Sequence, residues 1–228
     1  MAAYSGPVIN TAGLIALYSP ANLKSYPGTG TTLYDLTGNN NNANLAVSPT
    51  FSNVNNGIFT FNGSSQYIYS PSFSTTLNFG FSLGLWFNAT ANGMLLSEQG
   101  TAVYETVWHN SYMEIVSGVL HIGFWTGTQA NVALSAISFG VWYYAVMTYN
   151  LTTLSGYING NFINSSNLTK QNPNTNTTYI GIGCNEATNM GSGAWYNGSI
   201  ADFEIYNTVL TPIQIQQNFN ALRGRYNL

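Results

Sequence analysis

Charge is what this chain has least of. Charged residues make up 5% of its 228 residues, four Lys or Arg against seven Asp or Glu, where an ordinary soluble domain carries about 25%. Lys24, Lys170, Arg223 and Arg225 are the whole cationic complement. That excludes a basic patch able to release counterions from nucleic acid or to hold an anionic membrane surface. Cysteine is almost missing as well: Cys184 stands alone, so an internal disulfide is excluded. No apolar run approaches the roughly 20 residues needed to span a bilayer. The opening stretch, MAAYSGPVINTAGLIALYS, has neither a basic region nor a long apolar one, and no secretion signal is read there. With two histidines, His109 and His121, neither a transition-metal set nor a nucleophilic triad can be assembled.

What is there is neutral and aromatic. Hydrophobic residues reach 45%, including 16 Tyr, 12 Phe and 5 Trp, which is enough for a sizeable core. The polar surface must then be made of Asn, Thr, Ser, Gln and Tyr. No linker or change of composition divides the chain, so residues 1–228 are read as one domain.

The periodicity is that of strands. Phe81, Leu83, Leu85 and Phe87 alternate with Ser82, Gly84 and Trp86. Leu120, Ile122 and Phe124 alternate with His121 and Trp125. Trp142 to Tyr149 is nearly all apolar, as for a strand covered on both faces. Asn159-Gly160 between apolar pairs is a strong hairpin signal. About a dozen short strands, separated by turns, predict an all-β sandwich.

The clearest stretch is WYNGSIADFEIYNTVLTPIQIQQNFNAL, residues 195–222. Ala201, Phe203 and Ile205 alternate with Asp202, Glu204 and Tyr206, predicting one buried and one wet face. Thr211 is placed as N-cap, Pro212 at the first helical position, and Gln214 completes a capping box. Leu210 and Ile215 form a hydrophobic staple. Ile215, Phe219 and Leu222 then share one face of a helix that stops near Gly224.

Three of these stretches together, GLIALYSPANLKSYPGTGTTLYDLTGNNNNANL, SGYINGNFI and YNGSIADFEIYNTVLTPIQIQQNFNALRGRY, resemble the laminin-G-like, concanavalin A-like jelly-roll domain. The likeness is to the single-domain forms found in structural proteins of tailed, often marine, phages and other viruses, and it covers residues 4–227. It implies a two-sheet antiparallel jelly-roll sandwich with one short C-terminal helix, and first and last strands side by side. It also implies a virion surface protein (a capsid decoration, tail or fibre module) that packs against virion proteins and copies of itself and binds cell-surface glycans. A free-standing lectin is the alternative. Acids usual in such relatives are missing here: Ser19, Asn62 and Gln66 stand in their places, which weakens an inference of calcium.

A glycoside hydrolase is disfavoured. Glucanases that resemble this fold carry Glu-x-Asp-x-Glu on one strand, with the first carboxylate as nucleophile. Here that position is Ile200, followed by Asp202 and Glu204, so the chain is read as no enzyme, with the two acids on a polar outer face. For calcium, Asp35 with Asn39 and its neighbouring asparagines supplies hard oxygens, and Asp202 is a further candidate ligand. For a glycan, aromatic platforms beside neutral hydrogen-bonding groups are needed. Trp108, His109 and Tyr112, together with Trp195 and Tyr196, sit in polar, loop-like contexts, and Trp125 joins them as a candidate. With so few titratable groups, stability is expected to be nearly indifferent to mildly acid pH.

Overall fold

The computed structural model describes residues 8–73, 80–99, 109–125, 129–170, 179–184 and 195–228. In chain order the early strands are β1 (Leu14–Tyr18), β2 (Thr32–Leu33), β3 (Ala43–Val47), β4 (Thr50–Ser52), β5 (Ile58–Asn62), β6 (Tyr67–Tyr69), β7 (Phe81–Ala89) and β8 (Gly93–Gln99). There follow β9 (His109–Val116), β10 (Val119–Trp125), β11 (Gln129–Ala136), β12 (Trp142–Tyr149), β13 (Thr153–Ile158), β14 (Asn161–Asn167), β15 (Tyr179–Ile182) and β16 (Asn197–Tyr206). The helix α1 (Pro212–Leu222) comes last, continued by a 3-10 turn at Arg223–Tyr226.

The strands form two antiparallel sheets of eight. The first runs β14-β13-β12-β7-β16-β5-β4, with β1 also on β16. The second runs β11-β10-β9-β8-β15-β6-β3-β2. Pairing of Leu14 with Tyr206 and of Tyr18 with Phe203 sets β1 beside β16, so the predicted union of early and late strands is present.

Between the sheets lies one large apolar cluster. Phe81, Leu83, Leu85 and Phe87 of β7 meet Leu96, Met113, Ile122, Phe124 and Ile180 of the second sheet. Asn159 and Gly160 both adopt positive φ, 51° and 80°, the conformation that a two-residue I′ hairpin requires. One ion pair sits inside this layer. Lys170 lies 2.8 Å from the fully buried Glu98 carboxylate, which also accepts a 2.5 Å bond from the Ser111 hydroxyl.

A second core lies on the outer side of the first sheet, beneath α1. The helix begins as its sequence predicts. The Thr211 hydroxyl accepts from the Gln214 N–H, the Gln214 side chain accepts from the Thr211 N–H, and Pro212 opens the first turn. Trp86 is stacked among Tyr144, Phe219 and Tyr226, at ring separations of 5.1, 5.7 and 4.3 Å.

This layer corrects the expectation of a wet face on β16. Asp202 and Glu204 are 2% and 0% exposed. The alternation is also broken. Ile200 pairs with Phe87 and Phe203 with Leu85, so three steps oppose two and a β-bulge falls at Ala201 and Asp202. Ile200 therefore belongs to the inter-sheet core and Ala201 to the layer under the helix. Asp202 and Glu204 are enclosed polar groups and do not form a polar outer face. Arg225 is bound to Asp202, and its other guanidinium nitrogens donate to the carbonyls of Asn55 and Gly57. Tyr226 adds a 2.8 Å hydrogen bond to the same Asp202 oxygen.

Candidate functional site

The outer face of the second sheet is the opposite of that second core: polar, aromatic and without a covering helix among the described residues. Its residues follow from strand alternation. Because Leu96, Met113 and Ile122 point into the sandwich, their neighbours Ser97, Tyr112 and Gly123 point out. Strand register joins them into one row across the sheet: Asn131, Gly123, Tyr112, Ser97, Gly181, Tyr69 and Asn44. His121 and Glu114 pair in the next row.

Aromatic side chains form a strip on this face. Tyr67 and Tyr69 flank the core-facing Ile68, their rings 6.3 Å apart. Trp195, bridged through its backbone to Cys184, lies 6.2 Å from Tyr67. All three are half-buried. Exposed Gln129 and Asn131 stand at the far edge of the sheet, on β11, and exposed Asn44 pairs with Tyr69 of the strip. Beneath it, Ser97 donates to the Cys184 carbonyl at 3.0 Å and Gln99 donates to the Ser97 hydroxyl at 2.8 Å. Burial pushes the Cys184 thiol up to about 12, with the Gln99 amide opposing, so Cys184 is an inert thiol of the floor.

Glu114 is the one carboxylate that the described residues place on this face. Burial raises its pKa, and a 2.5 Å hydrogen bond from Gln129 opposes the rise.

The sequence candidates divide. Trp195 is on the face and joins the strip. Tyr112 belongs to the same row but is 1% exposed. Its hydroxyl lies over Gly123, where an added Cβ would come within 2.3 Å. Tyr112 is therefore a wedged floor residue; burial, then the Glu114 charge, raises its phenol. Tyr196 faces inward, fully buried, edge-on to Phe61 at 5.8 Å, with its hydroxyl on the Ser199 carbonyl. The polar context read as a loop around His109–Tyr112 is the start of β9. Trp108 and the side chains of His109 and Trp125 lie outside what is described. Tyr67 and Tyr69 were not singled out from the sequence. Their i, i+2 spacing around Ile68 was the available signal.

The calcium candidates fit an ion poorly. Asp35 spends one carboxylate oxygen on the N–H groups of Leu17 and Thr37, at 3.0 and 2.9 Å. The other receives the Thr37 hydroxyl at 2.6 Å and the Asn41 N–H at 3.2 Å. Asn39 turns its amide nitrogen to the Ile15 carbonyl, and Asp202 is held by Arg225. Among the described residues no three of His, Cys, Asp and Glu converge. Asp35 is the cap of a turn.

The family model of the concanavalin A-like lectin/glucanases superfamily matches residues 62–216, more than half of the chain. The protein belongs to that superfamily. A search of curated proteins returned no match. Among solved structures, the binding domain of Paraclostridial mosquitocidal protein 1 superposes with a TM-score of 0.66 at 16% identity, covering 92% of this chain and 52% of that one. Trypanosoma rangeli sialidase in complex with sialic acid gives 0.69 at 16%, covering 96% and 34%. Domain 4 of AbnA, an extracellular arabinanase of Geobacillus stearothermophilus, in complex with arabinotriose, gives 0.66 at 18%, covering 92% and 100%. The chain thus spans about half of the first and about a third of the second. At these identities the likeness is one of fold alone.

Proposed function

We propose that this domain is a non-enzymatic glycan-binding module that takes an oligosaccharide on the outer face of its second sheet. The observation that carries the reading is the half-buried strip of Tyr69, Tyr67 and Trp195 beside exposed Asn44. Sugar rings present C–H faces that pack on aromatic rings, and hydroxyls that exchange hydrogen bonds with neutral amides. The binding-domain neighbours support it, since one is a complex with arabinotriose and another is the binding domain of a mosquitocidal protein. The absence of hydrolysis belongs to the proposal. Ile200 stands where a nucleophilic carboxylate would be needed, Glu204 is fully buried beneath α1, and Asp202 is held by Arg225.

The setting we propose is a virion surface, with residues 1–228 acting as one repeated unit against virion proteins and copies of itself. What supports this is the viral flavour of the sequence resemblance and the 5% charge, which leaves little like-charge repulsion between copies. Arg225 is bound to Asp202 and offers no free charge to such a partner.

A glycan array with the purified chain and with Trp195→Ala tests the binding. The expected result is a set of oligosaccharides bound by the parent and lost in the variant. No binding at all, or reducing sugars released from the bound glycans, would sink the reading. Failure to copurify stoichiometrically with particles would leave the free lectin as the better setting.

A further inference from the structure

We infer that the glycan taken on this face is electrically neutral, and that sialylated, sulfated or uronate-bearing chains are rejected. The inference rests on the proposed binding face and adds the class of its ligand.

An anionic sugar is held in a protein site by groups that answer its charge, above all the guanidinium of Arg or the ammonium of Lys. This chain has four such groups, and all four are among the described residues. Arg225 is locked on Asp202 in the layer under α1, on the far sheet. Lys170 is buried against Glu98 between the sheets, with its ammonium 5.3 Å from the centre of the Phe81 ring. Arg223 follows the last turn of α1 and lies over Phe219. Lys24 is exposed in the turn after β1, where the neighbouring Asn22 lines a cleft with Ala221 and Leu222 of the helix. None of the four reaches the outer face of the second sheet. The undescribed stretches cannot supply one either, because they carry Glu105 and Glu186 and no Lys or Arg.

The face instead carries a carboxyl group, Glu114, beside the Tyr112 row. A negative charge brought to the aromatic strip would lose hydration and gain no opposite charge. A neutral ligand meets no such penalty. It also exchanges no counterions, so its affinity should not depend on salt.

Matched glycan pairs decide the matter. The full chain is titrated at pH 8 with lactose-terminated and arabinose-based neutral oligosaccharides, and with the 3′-sialyl and 6-sulfo forms of the same lactose series. The expected result is binding of at least one neutral member, at least tenfold weaker binding of every charged counterpart, and less than a twofold change between 50 and 500 mM NaCl. A charged form bound as tightly as its neutral parent, or binding that collapses with salt, overturns the inference and leaves the glycan-binding reading standing. No binding by any member overturns both. Tyr67→Ala and Trp195→Ala tie the result to the face. Selectivity that survives in both variants with unchanged affinity would put the ligand elsewhere and also overturn it.

Discussion

Asn218 reaches from the C-terminal helix into the layer beneath it and donates a 2.9 Å hydrogen bond to the Glu204 carboxylate. Both residues are fully buried. Tyr144 donates to the same oxygen at 2.8 Å and Tyr206 at 3.3 Å, while the other carboxylate oxygen makes no hydrogen bond. A helix of eleven residues is too short to stand alone in water. It is held by its apolar face and by this polar anchor.

The first prediction concerns pH. Burial pushes the Glu204 carboxyl up to about 7; the Tyr144 hydrogen bond opposes this, the nearby Asp202 charge adds to it, and Asn218 and Tyr206 oppose it. A carboxyl raised on folding binds its proton more tightly in the native state. Its stabilisation is therefore complete below the unfolded pKa of about 4.5 and is lost as pH rises through about 7. Chemical denaturation should show the protein more stable at pH 5 than at pH 8, by at most about 3 kcal/mol from this group. Glu204→Gln should flatten most of that slope. A wild-type curve that is level, or that falls on acidification, would count against the assignment. The sequence alone suggested near indifference to acid, because a count of titratable groups says nothing about which are enclosed.

The second concerns the ion pair at the other end of the same layer. Arg225→Met should strand the buried Asp202 carboxylate and cost about 3–5 kcal/mol, whereas replacing both partners by apolar residues should recover most of it. Urea midpoints of the two variants measure the difference. Equal losses in the single and double variants would contradict it.

Much of this architecture was legible in the sequence, and the gaps have physical causes. Asn159-Gly160 and Thr211-x-x-Gln214 are local signals, and each behaves as local chemistry dictates. The pairing of β1 with β16 followed from the family resemblance. What was not legible depends on what covers what. The i, i+4, i+7 stripe of Ile215, Phe219 and Leu222 announces that α1 docks, but not that it docks over Asp202 and Glu204. One bulge at Ala201 and Asp202 reverses the faces that a strict period of two assigns. In β9, Ser111 reads as a polar loop residue because its partner, Glu98, is itself an unexpected charge in the interior. At the candidate site Trp195 was legible. Tyr112 and Tyr196 were misplaced because tyrosine is at home both at a surface and, with its hydroxyl bonded, in a core.

The third prediction isolates the helix start. Thr211→Ala removes the side-chain acceptor for the Gln214 N–H and breaks the box. It should cost about 1 kcal/mol, read as a small fall in Tm with no change in glycan binding, since α1 lies on the opposite sheet. An effect on binding as large as that on stability would imply a coupling between the two sheets and count against this assignment.

The fourth concerns the floor of the face. Gly123→Ala would put a methyl within 2.3 Å of the Tyr112 hydroxyl and 2.6 Å of the Ala130 carbonyl. The second contact is with backbone and cannot swing aside, so overpacking should cost about 1–3 kcal/mol. Tyr112→Ala combined with Gly123→Ala should not restore full stability, because the carbonyl clash remains. Thermal melts of the three variants test this. A neutral Gly123→Ala would show the strand free to shift.

The fifth separates platform from floor. Trp195 is half-buried, its ring 6.2 Å from that of Tyr67 and tilted at 49°, whereas Tyr196 beside it is fully enclosed against Phe61. Trp195→Ala should therefore lower stability by only about 1–2 kcal/mol, less than the 3–5 kcal/mol typical of truncating a large aromatic in a core. Its effect on glycan affinity should be the larger one, at least tenfold. Tyr196→Ala should do the reverse, costing several kcal/mol by cavity formation, with any binding loss following the loss of folded protein. Paired measurements of denaturation midpoint and affinity for one neutral oligosaccharide, made on folded fractions of both variants, set the two roles apart. If Trp195→Ala kept its affinity while folded Tyr196→Ala lost it, the binding surface would have to be redrawn around the sheet junction instead of the aromatic strip.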